Sequence, residues 1–367
     1  MSGVLSLVPS LARQWAFRFL GRPALPFSLV CSVTYRCNSR CRTCNVWRKH
    51  SEEFSTEEWA RTFALLCRSQ RYLTFSGGEP FLRRDLPDIV AAAYGSCRPL
   101  AITIPTNGLL GDQVVEACDR IAAACPDSNV GINLSLDELG EKHDEIRGVP
   151  GNWAKATATW QGLKTLRRPN LTLSIHTVVS RFNVHRLPEV RAGLLELEPD
   201  SYITEIAEQR RELDTLDCDI SPTPAEYRQA VDHLLDDRAS PAPVGFAAVT
   251  HAFRRRYYRL AAQIVEEQRQ VIPCYAGWAS GHIAPDGDVW TCCTRAEPIG
   301  NLRRTGYDLR PIWFGYEAQA LRRSIRAREC ACPMANAAYT NMMLDPGSVL
   351  VVLGEWARGK LLREGRG

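Results

Sequence analysis

Three thiols lie close together near the beginning of the sequence. Cys37, Cys41 and Cys44 follow the C-x3-C-x2-C spacing, directly after the apolar run 27–33. Thiolates are soft ligands that suit zinc and iron–sulfur clusters. A [4Fe–4S] cluster usually takes four protein thiolates, so three on one loop leave one iron open to a non-protein ligand. A zinc site would instead need a fourth Cys or His nearby, for which His50 is the local candidate.

A second motif, the run Ser-Gly-Gly-Glu-Pro at 76–80, ends a short β-rich segment downstream. Paired glycines at the end of a strand let a ligand approach the bare backbone, although Gly-Gly-Glu-Pro also forms ordinary turns. Together, 37–44 and 77–80 closely resemble the radical S-adenosylmethionine (radical SAM) enzymes. In that family three cysteines hold a [4Fe–4S] cluster, the amino and carboxylate groups of SAM chelate its fourth iron, and the Gly-Gly-Glu segment contacts the methionine amino group. The resemblance implies SAM contacts at Ser76, Gly77, Gly78 and Glu79.

Strand-like and helix-like segments alternate from residue 27 to residue 236. The strand candidates are 27–34, 72–76, 100–105, 130–137, 171–179 and 202–207. The helix candidates are 55–66, 86–94, 112–124, 152–166, 187–197 and 223–236. This rhythm indicates βα units and a parallel sheet, and six units predict an α/β fold, the partial (β/α)6 TIM-type barrel that radical SAM enzymes use. Sites in such folds lie at the carboxyl ends of strands, where both motifs fall.

Some helix starts carry capping signals. Ser55 is followed three residues later by Glu58, which is the pattern of a capping box. Thr223 is a candidate N-cap, and Pro224 then occupies the first helical position. Ser10 is the candidate N-cap of a short amphipathic helix near the amino end.

Polar residues also follow the fourth and sixth strand candidates. The segment that begins at Ser135 resembles the stretch of radical SAM maturases whose serine touches SAM, which implies a SAM contact at Ser135. Asp137 and Arg147 stay open, because a carboxylate and an arginine in a loop are more often a surface ion pair. Glu205 and Glu208 either line the pocket or belong to a solvated face.

A second cysteine set lies near the carboxyl end, around an Asp-Gly hairpin turn at 286–287. Cys292 and Cys293 are adjacent, so on a strand they point to opposite faces and only one easily serves a given metal. The pattern resembles the SPASM/twitch extension of radical SAM enzymes, which carries auxiliary [4Fe–4S] clusters, and the spacing in that family favours Cys292. The resemblance implies one complete cluster, with zinc as the alternative, on Cys274, Cys292, Cys330 and Cys332. The remaining cysteines are assigned to core or surface without function: Cys31, Cys67, Cys97, Cys118, Cys125 and Cys218.

Composition limits the broad class. The 367 residues are 45% hydrophobic and 23% charged, and the net charge of +4 is too small to indicate nucleic acid. No apolar stretch reaches the roughly 18 residues of a membrane span. Fourteen cysteines without a signal peptide indicate reduced, partly metal-bound thiols in the cytoplasm. We predict an N-terminal helical segment (1–26), a radical SAM barrel (27–238), a linker and bridging helix (239–272), a small β-hairpin/helix iron–sulfur domain (273–345) and a tail (346–367).

The resemblance also implies an activity. An electron from a donor such as ferredoxin or flavodoxin cleaves SAM to methionine and a 5′-deoxyadenosyl radical, which abstracts hydrogen from an unactivated C–H bond. A fully ligated second cluster suits electron transfer, so we expect a net oxidation. Residues 1–26 are too few for a leader-peptide-binding domain, which favours a small molecule or a peptide presented by a partner protein.

Two other functions stay open at this point. One is a maturase that crosslinks a ribosomally made peptide. The other is a non-catalytic iron–sulfur electron carrier, against which the run 77–80 and Ser135 argue, since a carrier needs no SAM pocket.

Overall fold

The computed structural model describes residues 8–19, 23–66, 69–236 and 245–364. Its strands are β1 (Ser28–Thr34), β2 (Tyr72–Gly77), β3 (Ala101–Thr106), β4 (Asn129–Ser135), β5 (Leu171–Val179), β6 (Ser201–Ile206), β7 (Ser280–Ile283), β8 (Asp288–Trp290) and β9 (Pro298–Asn301). Its helices are α1 (Val8–Phe19), α2 (Thr56–Leu66), α3 (Leu86–Cys97), α4 (Asp112–Ala124), α5 (Glu141–Arg147), α6 (Asn152–Lys164), α7 (Leu187–Leu195), α8 (Pro224–Leu235), α9 (Gly245–Glu267), α10 (Leu309–Trp313), α11 (Tyr316–Arg326), α12 (Ala335–Leu344) and α13 (Pro346–Glu364). Cys67 and the part of the predicted linker at 239–244 lie outside the described residues.

The strands form one sheet in the order β6-β5-β4-β3-β2-β1-β7-β8-β9. The first six are parallel neighbours joined by helices, which confirms the predicted α/β partial barrel. β7 pairs in parallel with β1, and β8 and β9 continue antiparallel. The C-terminal hairpin is therefore an extension of the barrel sheet, and β1 lies in its middle.

The buried core explains why β1 occupies that position. All residues of β1 after Ser28 are buried, as expected for a parallel strand covered on both faces. On one side, α2 packs Trp59 and Phe63 inward, their rings stacked at 5.6 Å, and Phe63 meets Phe75 of β2 edge-on. The helix thereby packs against β2, the strand that leads into the glycine motif.

Two of the three predicted helix caps are confirmed. The Ser55 backbone N–H donates to the Glu58 carboxylate at 2.8 Å, and the Glu58 N–H donates to the Ser55 hydroxyl at 3.2 Å. Thr223 forms a full capping box with Glu226 at the start of α8. The prediction for Ser10 was wrong, because α1 already includes Val8 and Ser10 lies inside it.

The fourth strand is shorter than predicted and a helix follows it. β4 ends at Ser135, and Asp137 turns out of the sheet because its N–H bonds the His143 side chain at 3.1 Å. Residues 141–147, which are not among the predicted helices, form α5. Within the part of the chain that the structure describes, no helix combines the length and apolar character needed to cross a membrane.

Candidate functional site

Cys37, Cys41 and Cys44 lie on the loop after β1 and line one open cavity. Burial raises the pKa of Cys37 to about 11 and that of Cys44 to about 12, and neighbouring thiols raise both further. Such thiols stay protonated near neutral pH unless a metal displaces the proton. His50 is exposed, and no histidine is among the described residues lining the cavity. The donor set therefore fits an iron–sulfur cluster with one open iron better than a four-ligand zinc site.

Helix α5 holds this cysteine loop through backbone hydrogen bonds. The Arg40 N–H donates to the Arg147 carbonyl at 3.0 Å, and the Arg42 N–H donates to the Ile146 carbonyl at 2.9 Å. A Cβ at Gly148 would lie 2.3 Å from the Arg40 carbonyl oxygen, so only glycine permits this approach. The end of α5 is thus part of the site.

Gly77 and Gly78, at the end of β2, also permit close contact with the backbone of the cysteine loop. A Cβ at Gly77 would lie 2.0 Å from the Thr34 carbonyl oxygen, and one at Gly78 would lie 2.1 Å from that of Arg36. The Gly78 N–H donates to Thr34 at 2.8 Å, and the Glu79 N–H donates to Arg36 at 2.9 Å. We expected these glycines to admit a ligand; they line the cavity, and they also admit the backbone of the cysteine loop.

Glu79 lies buried at the cavity wall with its carboxylate partly satisfied. One oxygen accepts from the Thr106 hydroxyl at 2.9 Å and from the Phe81 N–H at 3.3 Å, and the other accepts from the Asn107 N–H at 2.7 Å. Burial raises the pKa of Glu79 to about 7, against the effect of these hydrogen bonds. The second oxygen keeps a lone pair available for a donor in the cavity.

Asn107 is a site residue that the sequence did not reveal, since Asn-Gly after a strand indicates only a turn. Its side-chain amide donates to Asn38 at 2.7 Å and to Ser39 at 3.3 Å, both on the cysteine loop. Its position at the end of β3, level with the other two motifs, was the available signal.

Ser135 also lines the cavity, whereas Ser76 does not: it lies in β2 opposite Ser32. Contact of either serine with SAM stays a prediction. Asp137 and Arg147, which the sequence leaves open, form a buried ion pair at 2.8 Å rather than a surface one, with the two side chains 1% and 10% exposed. Burial lowers the pKa of Arg147, but the charges of Asp137 and Cys41 outweigh it and raise the pKa overall. A fixed positive charge therefore lies beside the thiols.

A second set of charged residues, on the chain that follows β6, lines part of the cavity. Glu208 lines the cavity, and burial raises its pKa to about 8. Arg210 also lines it, with its guanidinium 3.8 Å from Glu205 and 3.9 Å from Glu212. Glu205 does not line the cavity; it contacts Arg210, which does. Neither Arg210 nor Glu212 was singled out from the sequence.

The four predicted cysteines of the second set come from separate segments before β7, after β8 and between α11 and α12. Burial raises the pKa of Cys292 to about 12, and the neighbouring Cys274 and Cys330 raise it further. Cys332 has its pKa raised by burial and then by Glu208, Cys274 and Cys292. The fold thus brings four thiols within electrostatic range of one another, which suits a fully ligated cluster.

The hydrogen-bond partner of Cys293 lies outside this set of four cysteines. Its sulfur lies 2.8 Å from His282 Nδ1, and His282 Nε2 lies 2.8 Å from the Ser32 hydroxyl. Burial lowers the pKa of His282 to about 4, so the ring is neutral. Because Cys293 is engaged with β7 and β1, the geometry supports Cys292 as the ligand.

Family models agree with this geometry. The model described as "Radical SAM superfamily" matches residues 31–192, and the SPASM model, described as "Iron-sulfur cluster-binding domain", matches residues 274–333. Together they cover more than half of the chain. The chain belongs to the radical SAM superfamily and carries a SPASM extension. It is accordingly an iron–sulfur enzyme, with a [4Fe–4S] cluster that binds SAM and an auxiliary cluster.

Curated relatives include enzymes with different substrates. The Fe-coproporphyrin III synthase of Methanosarcina barkeri is 31% identical over 60% of this chain and 53% of its own length, so the chain spans about half of it. The AdoMet-dependent heme synthase of the same organism is 25% identical over 80% of this chain and 83% of its own. The PqqA peptide cyclase of Xanthomonas euvesicatoria pv. vesicatoria is 29% identical over 80% and 75%.

Solved structures share the fold. Streptococcus suis SuiB bound to precursor peptide SuiA superposes with a TM-score of 0.63 at 16% identity, over 85% of this chain and 70% of that one. Native anSMEcpe with bound AdoMet and the Cp18Cys peptide superposes with a TM-score of 0.58 at 14% identity, over 92% and 98%.

Proposed function

We propose that this enzyme abstracts a hydrogen atom from a C–H bond of a peptide and that the peptide leaves in oxidised form. The observation that carries the proposal is that one cavity is lined by the first three cysteines, Gly77–Glu79, Ser135 and Glu208, and that the charge of Glu208 also acts on Cys332 of the second set. When bound there, the cluster and SAM supply the 5′-deoxyadenosyl radical that performs the abstraction.

The residues of the chain have distinct parts in this proposal. Cys37, Cys41 and Cys44 would hold the cluster, and the free lone pair of Glu79 would accept a hydrogen bond from the SAM amino group. Ser135, across the cavity at the end of β4, orients the rest of SAM. Arg147 offsets the negative charge that the three thiolates bring into a buried place.

The charges of the cavity favour a peptide over a porphyrin. A porphyrin, as named for two of the relatives, carries several carboxylates that need cationic partners. The two arginines lining the cavity already face carboxylates: Arg147 pairs with Asp137, and Arg210 lies between Glu205 and Glu212. Among the described residues the lining offers no arginine or lysine beyond these two. Peptides are also named for the PqqA cyclases and in the SuiB and anSMEcpe complexes.

The second cysteine set completes the oxidation. A substrate radical formed by hydrogen loss must give up an electron to become a stable oxidised product. Cys274, Cys292, Cys330 and Cys332 leave no open iron, which suits electron acceptance rather than substrate binding. Whether the product is crosslinked depends on the groups next to the radical carbon in the peptide.

Anaerobic incubation with SAM and dithionite tests the reaction. We expect 5′-deoxyadenosine by liquid chromatography from wild type, and a several-fold lower rate from Glu79→Gln and Ser135→Ala with unchanged iron content. Wild-type protein with both clusters and no 5′-deoxyadenosine would contradict the assignment. Where a short peptide is encoded beside the gene, it should lose two hydrogen atoms in the same mixture, whereas consumption of an added coproporphyrin instead would establish the second candidate.

A further inference from the structure

The loop that carries the first three cysteines is strongly basic. Residues 36–50 contain five arginines and lysines and no aspartate or glutamate, in a chain whose net charge is only +4. The five are Arg36, Arg40, Arg42, Arg48 and Lys49. Positive charge is therefore concentrated at the one segment that holds the cluster.

Two of these five side chains have partners outside the loop, and the Arg40 guanidinium donates to the Cys37 and Ser39 carbonyls within it. Arg36 pairs with Glu53 at 3.1 Å, and the Lys49 ammonium donates to the backbone carbonyls of Arg211 and Glu212 at 2.9 and 2.8 Å. The other three, Arg40, Arg42 and Arg48, are exposed and form no ion pair with any residue that the structure describes. We call these three the arginine face.

Aromatic rings hold the arginine face in position. The Arg40 and Arg48 guanidinium groups lie 4.3 and 5.0 Å from the centre of the Trp47 ring, and that of Arg42 lies 3.7 Å from the centre of the Phe182 ring. Stacking on a ring orders a guanidinium while leaving N–H groups at its edge for an anionic partner, although one nitrogen of Arg40 already donates to the Cys37 and Ser39 carbonyls. The face is therefore pre-ordered for binding, in contrast to freely moving surface arginines.

The arginine face lies outside the cavity. None of its three residues lines the cavity, whose two arginines are Arg147 and Arg210. The same short loop thus carries half-buried cysteines directed into the cavity and exposed arginines outside it. A macromolecule on this face would contact the loop that carries the three cysteines without contacting the two arginines of the cavity.

We propose that the arginine face docks an acidic protein that carries a single electron, of the flavodoxin type, which reduces the first cluster. This rests on the proposed function, since only a redox-active site at Cys37, Cys41 and Cys44 needs such a partner. In the transfer the flavin hydroquinone of the carrier loses one electron to the iron–sulfur site, and no bond forms or breaks. An acidic substrate peptide is the rival occupant, but it would have to enter the cavity from which these arginines are absent.

Calorimetric titration with oxidised flavodoxin at low ionic strength tests docking without using activity. We expect Arg42→Glu/Arg48→Glu to weaken binding about tenfold or more, because complementary charge governs such encounters. Arg40 stays unchanged, since its guanidinium donates to the Cys37 and Ser39 carbonyls and thereby supports the loop. Arg42→Gln/Arg48→Gln should weaken binding less, and its inclusion guards against misfolding caused by the reversed charges.

The matched control is Arg61→Glu/Arg167→Glu, which reverses two exposed arginines away from the loop; Arg61 also stacks on a ring, that of Tyr307. The control should bind flavodoxin as wild type does. Equal binding by wild type and by both loop variants, or equal weakening in the control, would overturn the proposal.

Stopped-flow reduction separates docking from catalysis. Reduced flavodoxin should reduce the first cluster of Arg42→Glu/Arg48→Glu about tenfold more slowly than that of wild type, with a weaker salt dependence. Dithionite needs no docking surface, so 5′-deoxyadenosine formed with dithionite should be unchanged. Slow reduction by both reductants would contradict the docking role, and the absence of 5′-deoxyadenosine in wild type with dithionite would contradict the proposed function instead.

Discussion

The two cysteine sets of this molecule are built in opposite ways. Cys37, Cys41 and Cys44 come from one short loop, and their surroundings are supplied by the ends of neighbouring strands. The second set runs from Cys274 to Cys332 and converges only when β7, β8 and the chain around α11 and α12 have packed. A local set can leave one metal position open to a cavity, whereas a dispersed set encloses its metal and ties the chain together.

The contacts that hold the two cysteine sets in place also differ, being close backbone contacts for the first set and a long-range side-chain contact for the second. Backbone groups of Thr34 and Arg40 contact Gly77 and Gly148 at distances that exclude any side chain. The second set depends on a long-range contact instead: the Gln270 amide donates to the carbonyls of Ile325 and Cys330 at 3.1 and 2.9 Å. Loss of the first metal should therefore abolish chemistry with the fold retained, and loss of the second should also lower stability.

Replacing Cys37, Cys41 and Cys44 together with alanine should have the largest effect. Reconstituted wild type should bind about eight irons, and the variant about half of that number, because one four-iron cluster is lost. 5′-Deoxyadenosine formation should fall to background, while the circular dichroism spectrum stays that of wild type. Full iron retention, measured by a colorimetric iron assay, would refute the placement of the first cluster.

The adjacent cysteines provide a matched pair for the second set. Cys292→Ser should lose about four irons, whereas Cys293→Ser should keep them, because Cys293 is engaged with His282. The reverse result would exchange the two assignments.

The role of the second cluster is tested by Cys330→Ala. This variant should still form 5′-deoxyadenosine but yield little oxidised peptide. Retained SAM cleavage in the same sample excludes misfolding as the cause. Normal amounts of product would show that the second site is structural or holds zinc.

The glycine contacts predict a smaller, local effect. In Gly78→Ala the new methyl group meets the Arg36 carbonyl oxygen, so β2 and the cysteine loop must separate, at a cost of about 1–3 kcal/mol. SAM cleavage should fall strongly. Gly95→Ala, on an exposed position of α3 with open space around it, should instead stabilise by about 0.5–1 kcal/mol. Urea unfolding of both variants measures this difference, and equal stabilities would mean that the contact at Gly78 is not close.

The smallest effect concerns the ion pair between the barrel and the hairpin region. The Arg303 guanidinium, 2.6 Å from Glu58, holds the pKa of that carboxyl down at about 2. Because this folded-state pKa is depressed, the contribution to stability is complete above the ordinary glutamate pKa of about 4.3 and is lost as the pH falls toward 2. Glu58→Gln should lose about 1 kcal/mol at pH 7. Its stability should then vary less than that of wild type between pH 5 and pH 2, in urea titrations; identical pH profiles would contradict the pairing.

The sequence predicted the barrel, and it predicted that the first two motifs lie together at the carboxyl ends of the strands, because both depend on short-range patterns. Strand and helix rhythm, the Ser55 capping box and the spacing of three thiols need no knowledge of distant contacts. Asn107, Arg210 and the Cys293–His282 contact were missed, since each depends on which strand ends become neighbours. Asp137 and Arg147 were left open for the same reason: ten residues apart in sequence, they meet only because α5 folds back over the cysteine loop.

The parallel pairing of β7 with β1 has a consequence for truncation. A chain that stopped before residue 273 would leave β1 with an unpaired row of backbone donors and acceptors on one side. Every β1 residue after Ser28 is buried, so this new edge would combine unpaired backbone groups with apolar side chains. That combination promotes strand-to-strand aggregation. The isolated barrel should therefore precipitate. In the whole chain, β7 covers the edge of β1, the strand that leads into the cysteine loop.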